Sequence, residues 1–124
     1  MNRLLVYGTL RPGIRPTVKV PGRMYQVGWF PGVILDADCG ETFEAEPVEV
    51  TDEVLRGLDR YEGYDEAFPE NSLFRRVAME DGTFIYVFNQ SVEGCEQVGG
   101  GDWLDHTQQE AGRNNHLLGL SKVA

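Results

Sequence analysis

Hydrophobic positions along the chain come in short runs broken by Gly and Pro, and one stretch alone carries helical spacing. Leu4-Leu5-Val6-Tyr7 is a continuous apolar run closed by Gly8-Thr9-Leu10-Arg11-Pro12-Gly13, which predicts a buried strand and then a loop. Residues 14–40 are punctuated by Pro16, Pro21, Gly22, Gly28, Pro31, Gly32 and Gly40, with short strand-like pieces at Arg23–Phe30 and Val33–Leu35. In Glu41–Val50, acids at 41, 44, 46 and 49 interleave with Phe43, Ala45, Val48 and Val50. Pro47 has no N–H to give a ladder, so that strand is expected at an edge or with a bulge.

Thr51 to Tyr61 predicts a helix: Thr51 caps it, Asp52 and Glu53 complement the positive end, and Val54, Leu55, Leu58 and Tyr61 share a face. Gly57 weakens it, and Gly63 suits the left-handed residue just past its end. Leu73–Met79 and Thr83–Asn89 read as strands, and Asp81-Gly82 between them signals a two-residue hairpin. After Ser91 the pattern fades. Gly99-Gly100-Gly101 is expected to be a flexible joint, followed by a polar tail or a short helix around Trp103–Glu110. The expected organisation is one domain over residues 1–90 and a polar extension over 91–124.

The chain of 124 residues suits a single domain, and its 41% hydrophobic and 25% charged content is that of a globular protein. Its net charge of −9 argues against nucleic-acid binding and against an anionic membrane surface, both of which need clustered Lys and Arg. Cys39 and Cys95 form no C-x-x-C pair, which favours a reduced, cytoplasmic protein. The N-terminal apolar run is too short for a signal peptide, and no run approaches a membrane span. Without a secretory signal, the sequon Asn89-Gln90-Ser91 is expected to be fortuitous.

Phosphate-loop, dinucleotide and H-E-x-x-H motifs are absent. Asp102, Asp105, His106 and Glu110 have no diagnostic metal-ligand spacing, so a solvated tail accounts for them. Two features remain. One is the Gly-containing loop Tyr7-Gly8-Thr9-Leu10, whose backbone N–H groups suit a carboxylate or an oxyanion. The other is the acidic set Asp59, Glu62, Asp65 and Glu66 at the predicted helix end. There the negative end of the helix and neighbouring acids disfavour ionisation of Glu62, which suits proton transfer near neutral pH. The same spacing also fits an exposed acid on a turn. Arg75 and Arg76 point to opposite faces of their strand, so one of them at most faces a pocket.

Val6-Tyr7-Gly8-Thr9-Leu10-Arg11-Pro12-Gly13 resembles the opening motif of the γ-glutamylcyclotransferase-like family, and Leu58-Asp59-Arg60-Tyr61-Glu62-Gly63 is similar to its L-D-x-[YF]-E-G segment. Phe74-Arg75-Arg76-Val77 and Val87-Phe88 are looser matches, with Phe74 and Phe88 where the family commonly has Tyr. The resemblance implies an α+β fold: a small mixed β-barrel-like sheet with one or two flanking helices and a single cavity. It implies that the backbone of Tyr7, Gly8, Thr9 and Leu10 binds a glutamyl head group. Glu62 would then be the catalytic acid/base, and Arg76 would have a substrate-binding or pocket-rim role.

The implied reaction is intramolecular. The α-amine of a γ-glutamyl group attacks its own side-chain carbonyl, forms 5-oxoproline and expels the distal amine. No metal or cofactor is implied; the partner is a small γ-glutamyl molecule. The acidic balance suits a cationic leaving group such as a polyamine. Alternatives are a domain of this fold that binds a small molecule without converting it, and an interaction protein that uses the acidic stretch Glu41–Glu53.

Overall fold

The computed structural model describes residues 1–8, 11 and 16–107. The N-terminal apolar run becomes strand β1 (Asn2–Val6), with Leu4, Leu5 and Val6 buried. The Gly- and Pro-punctuated stretch forms a hairpin of β2 (Val18–Val27) and β3 (Phe30–Leu35) that turns at Gly28 and Trp29. After β4 (Thr42–Val50) come helix α1 (Asp52–Tyr61), β5 (Phe74–Ala78), β6 (Phe84–Phe88) and the short β7 (Glu96–Gln97). The strands make one seven-stranded sheet in the order β3-β2-β4-β1-β6-β5, with β7 paired to β2. β1 and β6 run parallel and the other pairings are antiparallel.

The sheet is a curled, mixed half-barrel, and the fold is α+β as expected. Its curl brings β3 round to pack on β6, four strands away in sheet order. Gly32 permits this approach, because a Cβ there would lie 2.9 Å from the Cβ of Phe88. The core lies on the curled sheet and includes Leu4, Met24, Val33, Phe43, Phe74, Ile85 and Trp103. Each such side chain contributes roughly 1.5–3 kcal/mol when taken fully out of water.

Several local expectations meet the structure differently. β4 lies inside the sheet, between β2 and β1, and runs without interruption through Pro47. Its pairing with β2 ends at Ala45, whereas β1 continues opposite Pro47 through Leu5. At Pro47 the strand is therefore locally an edge, which is where a residue without an N–H is tolerated. The β5–β6 connection is longer than a two-residue turn. Gly82 N–H donates to the Met79 carbonyl at 2.9 Å and Met79 N–H to the Thr83 carbonyl at 2.8 Å. Gly82 has φ of +84°, the left-handed residue that completes a three-residue loop.

Helix α1 matches its predicted span, and the Thr51 hydroxyl accepts the Val54 N–H at 3.1 Å. Its apolar face is narrower than expected: Leu55 is buried, while Val54 and Tyr61 are exposed. The three glycines at 99–101 are not a loose joint. Gly101 is buried against β4, where an added Cβ would lie 2.6 Å from the Thr42 carbonyl oxygen. Residues 103–107 are helical and bury Trp103; the expected continuation to Glu110 lies outside the described residues. Cys39 and Cys95 are free thiols. Among the described residues no helix is long and apolar enough to cross a membrane.

Candidate active site

Glu62 is the C-cap of α1 and is 1% exposed. Three backbone bonds close the helix around it: Glu62 N–H to Leu58 at 2.8 Å, Gly63 N–H to Arg60 at 3.2 Å, and Tyr64 N–H to Asp59 at 2.8 Å. The last two are the paired bonds of a Schellman ending, which needs a left-handed residue after the cap. Gly63 supplies it with φ of +71°. The chain therefore reverses immediately after Glu62, and the carboxyl is left inside the fold rather than on an exposed turn.

Two tyrosines share the field of this carboxyl. Tyr7, fully buried just beyond β1, donates its hydroxyl proton to the Tyr86 carbonyl at 2.6 Å. Burial pushes the Tyr7 hydroxyl well above the usual phenol range, and the charge of Glu62 pushes it the same way. Tyr86, on β6, donates to Asp59 Oδ1 at 2.7 Å. Burial raises its hydroxyl too, followed by the bond to Asp59, with a smaller contribution from Glu62. Both phenols thus stay protonated and have their protons committed to other groups.

Arg11 lies on the β4 side of β1. Its N–H donates to the carbonyl of the buried Gly8 at 3.1 Å. Its guanidinium contacts Glu46 on β4 at 3.0 Å and Asp102 at 2.9 Å. Of the expected substrate-binding residues, Tyr7 and Gly8 are at the end of β1, and Tyr7 lies in the field of Glu62. Thr9 and Leu10 lie outside the described residues.

Arg76 lies on the α1 side of the sheet. It faces α1 from β5 and grips Asp59 with both nitrogens of a fork, at 2.8 and 3.1 Å. Arg75, its neighbour, is exposed, as strand alternation requires. Arg76 and Asp59 line a cavity of about 250 Å³ on the helix side, together with Asn2, Leu55 and Phe84. Neither Tyr7 nor Glu62 lines that cavity. A larger space of about 620 Å³, between Val20, Leu35 and Met79, includes none of the candidate site residues.

The acidic set does not act as one cluster. Glu62 is buried, Asp59 is bound to Arg76, and Asp65 and Glu66 are exposed. Phe74 and Phe88 pack edge-on against each other at 5.5 Å inside the core. Among the described residues no group of three or more His, Cys, Asp or Glu side chains is arranged to hold a metal ion. Tyr86, and the shared contact of Glu46 and Asp102 with Arg11, carry no signal in the sequence. A lone Tyr between Phe84 and Phe88 reads as core, and Glu46 reads as one more acid on an alternating strand.

The molecule is thus an α+β half-barrel domain that buries one helix-end carboxyl. The chain belongs to the γ-glutamyl cyclotransferase, AIG2-like family, whose sequence profile matches residues 4–105. That match extends well past Phe88, where the recognisable motifs end, and includes β7 and Trp103. No curated protein matches the chain closely enough to count as a relative.

Two solved structures share the fold. One is the solution structure of ytfP from Escherichia coli, with 22% identity and a TM-score of 0.60 over 85% of this chain and 98% of that one. The other is the crystal structure of the uncharacterized protein PH0828 from Pyrococcus horikoshii, with 19% identity and a TM-score of 0.61 over 94% and 100%.

Proposed function

We propose that the chain is a γ-glutamyl cyclotransferase that converts a γ-glutamyl amine or peptide to 5-oxoproline and a free amine. The observation that carries this reading is the burial of Glu62 at the end of α1, with Tyr7 at the end of β1 within the field of its charge. Family membership supports the reaction class.

Glu62 as carboxylate takes a proton from the substrate's α-ammonium group. The freed amine attacks the γ-carbonyl carbon and closes a five-membered lactam. As the bond to the distal nitrogen breaks, the Glu62 carboxyl gives that nitrogen its proton; the restored carboxylate takes the second proton from the ring nitrogen and passes it to the departing amine, which leaves as an ammonium, so no proton is gained or lost overall. Burial at the negative end of a helix favours the neutral carboxyl relative to one in water, which makes Glu62 a stronger base toward the substrate ammonium. Folding the substrate so that amine meets carbonyl draws on effective molarities of about 10⁵–10⁸ M. The backbone of Tyr7, Gly8, Thr9 and Leu10 takes the α-carboxylate or the developing oxyanion in this reading.

The test is to incubate the protein with glutathione, γ-glutamyl amino acids, γ-glutamyl-lysine and γ-glutamyl-putrescine and to measure 5-oxoproline. At least one substrate should turn over, and Glu62→Gln should abolish turnover while keeping the fold. Wild-type release of 5-oxoproline by Glu62→Gln would refute the assignment.

A further inference from the structure

Asp59, in the last turn of α1, and Glu62, its C-cap, are three residues apart, so their side chains start about 5–6 Å from each other. Two carboxylates so placed oppose each other's ionisation. The structure answers this with a cation from another element. Arg76 of β5 holds both oxygens of Asp59, and the side chains of the pair are only 16% and 14% exposed. The guanidinium is oriented by Phe84, with ring centroid 4.6 Å away, and by Tyr64 at 5.8 Å. Tyr86 of β6 connects the pair to the site: its hydroxyl binds Asp59, and the field of Glu62 reaches it.

We propose that Asp59 and Arg76 form a charge-compensated pair that sets the proton affinity of Glu62, with Arg76 as a positioning residue acting through Asp59 and Tyr86. This rests on the reading of Glu62 as the proton carrier. Tyr7, at the end of β1, is another ionisable group set against Glu62. Arg11, Glu46 and Asp102 lie across β1 on the β4 side, and Asp65 and Glu66 are exposed beyond the turn. The pair is thus a balanced charge behind Glu62, and breaking either half leaves a net charge of known sign.

The decisive measurement is a ¹³C NMR titration of the Glu62 side-chain carboxyl, assigned by its loss in Glu62→Gln, in the full chain. Arg76→Gln leaves Asp59 uncompensated and should raise the Glu62 midpoint. Asp59→Asn leaves Arg76 uncompensated and should lower it. A unit charge at this range moves a carboxyl by about half to two pH units, depending on how much water screens it. The double variant should return close to wild type. Arg76→Lys should also stay close, because it keeps the charge and loses only the fork.

Opposite shifts with cancellation support the pair, since loss of packing alone would not reverse sign. Unchanged midpoints in folded Arg76→Gln and Asp59→Asn overturn it. If Arg76→Gln does not fold, a Glu62 midpoint in Asp59→Asn that fails to fall is enough to overturn it. The titration needs no substrate, so a protein that forms no 5-oxoproline refutes the proposed reaction without obscuring this result. With a turned-over substrate, the acid limb of kcat/KM should move in the same directions.

Discussion

Replacing Arg11 by Met separates the worth of a buried ion pair from that of an exposed one on the same guanidinium. Arg11 is 7% exposed and contacts Glu46, which is 0% exposed, and Asp102, which is 32% exposed. Arg11→Met leaves Glu46 in the interior without its guanidinium, and removal of one partner from a buried pair costs about 3–5 kcal/mol. Against a total stability of about 5–15 kcal/mol for a domain, that is a large share. Asp102→Asn acts on a contact that water already screens, so its cost is expected to be below about 1 kcal/mol. The double change Arg11→Met/Glu46→Leu should recover most of the loss, because an apolar pair of similar volume needs no desolvation of charge. Equilibrium urea unfolding at pH 7, followed by circular dichroism, measures all three. The reasoning fails if Arg11→Met costs no more than Asp102→Asn, or if the double variant is no more stable than Arg11→Met.

Two glycines around Glu62 should respond with opposite sign. Gly63→Ala forces a side chain into φ of +71° and should cost about 1–2 kcal/mol and lower kcat by moving Glu62, whereas Gly63→Asn should cost less. Gly57→Ala, where an added Cβ meets nothing within 4 Å, should stabilise α1 by about 0.5–1 kcal/mol; thermal melts that rank the two alike would contradict the assigned backbone roles. The raised hydroxyls of Tyr7 and Tyr86 make stability fall at alkaline pH. Above about pH 10 the unfolded chain releases these protons and the folded chain keeps them, so each tyrosine removes about 1.4 kcal/mol per pH unit. Denaturation series between pH 9 and about 11 should show a shallower fall for Tyr86→Phe than for wild type.

The helix shows how local sequence reaches into the site. Thr51, the acids after it and Gly63 act within a few residues of themselves, and each does in the fold what its chemistry suggests in the chain. The paired motifs around Tyr7 and Glu62 were legible for the same reason, since each is a contiguous stretch. Pro47 is the counterexample. Its tolerance inside the sheet depends on where β2 stops pairing, which residues 41–50 do not encode. Val54 and Tyr61 follow the helical period yet stay exposed, because α1 meets the sheet along a narrower strip than its apolar stripe.

Short-range preferences, the strand and helix periods and the turn residues therefore settled the elements, the end of α1 and the candidate carboxyl. Sheet order and curl settled the surroundings of that carboxyl. Arg11 meets Glu46 across 35 residues and Asp102 across 91, while Tyr86 meets Asp59 across 27. Such pairings follow from which strands become neighbours, a property of the whole sheet that a residue's nearest neighbours in sequence do not carry. The neighbours that Tyr7 and Tyr86 provide to Glu62 belong to that second kind of information.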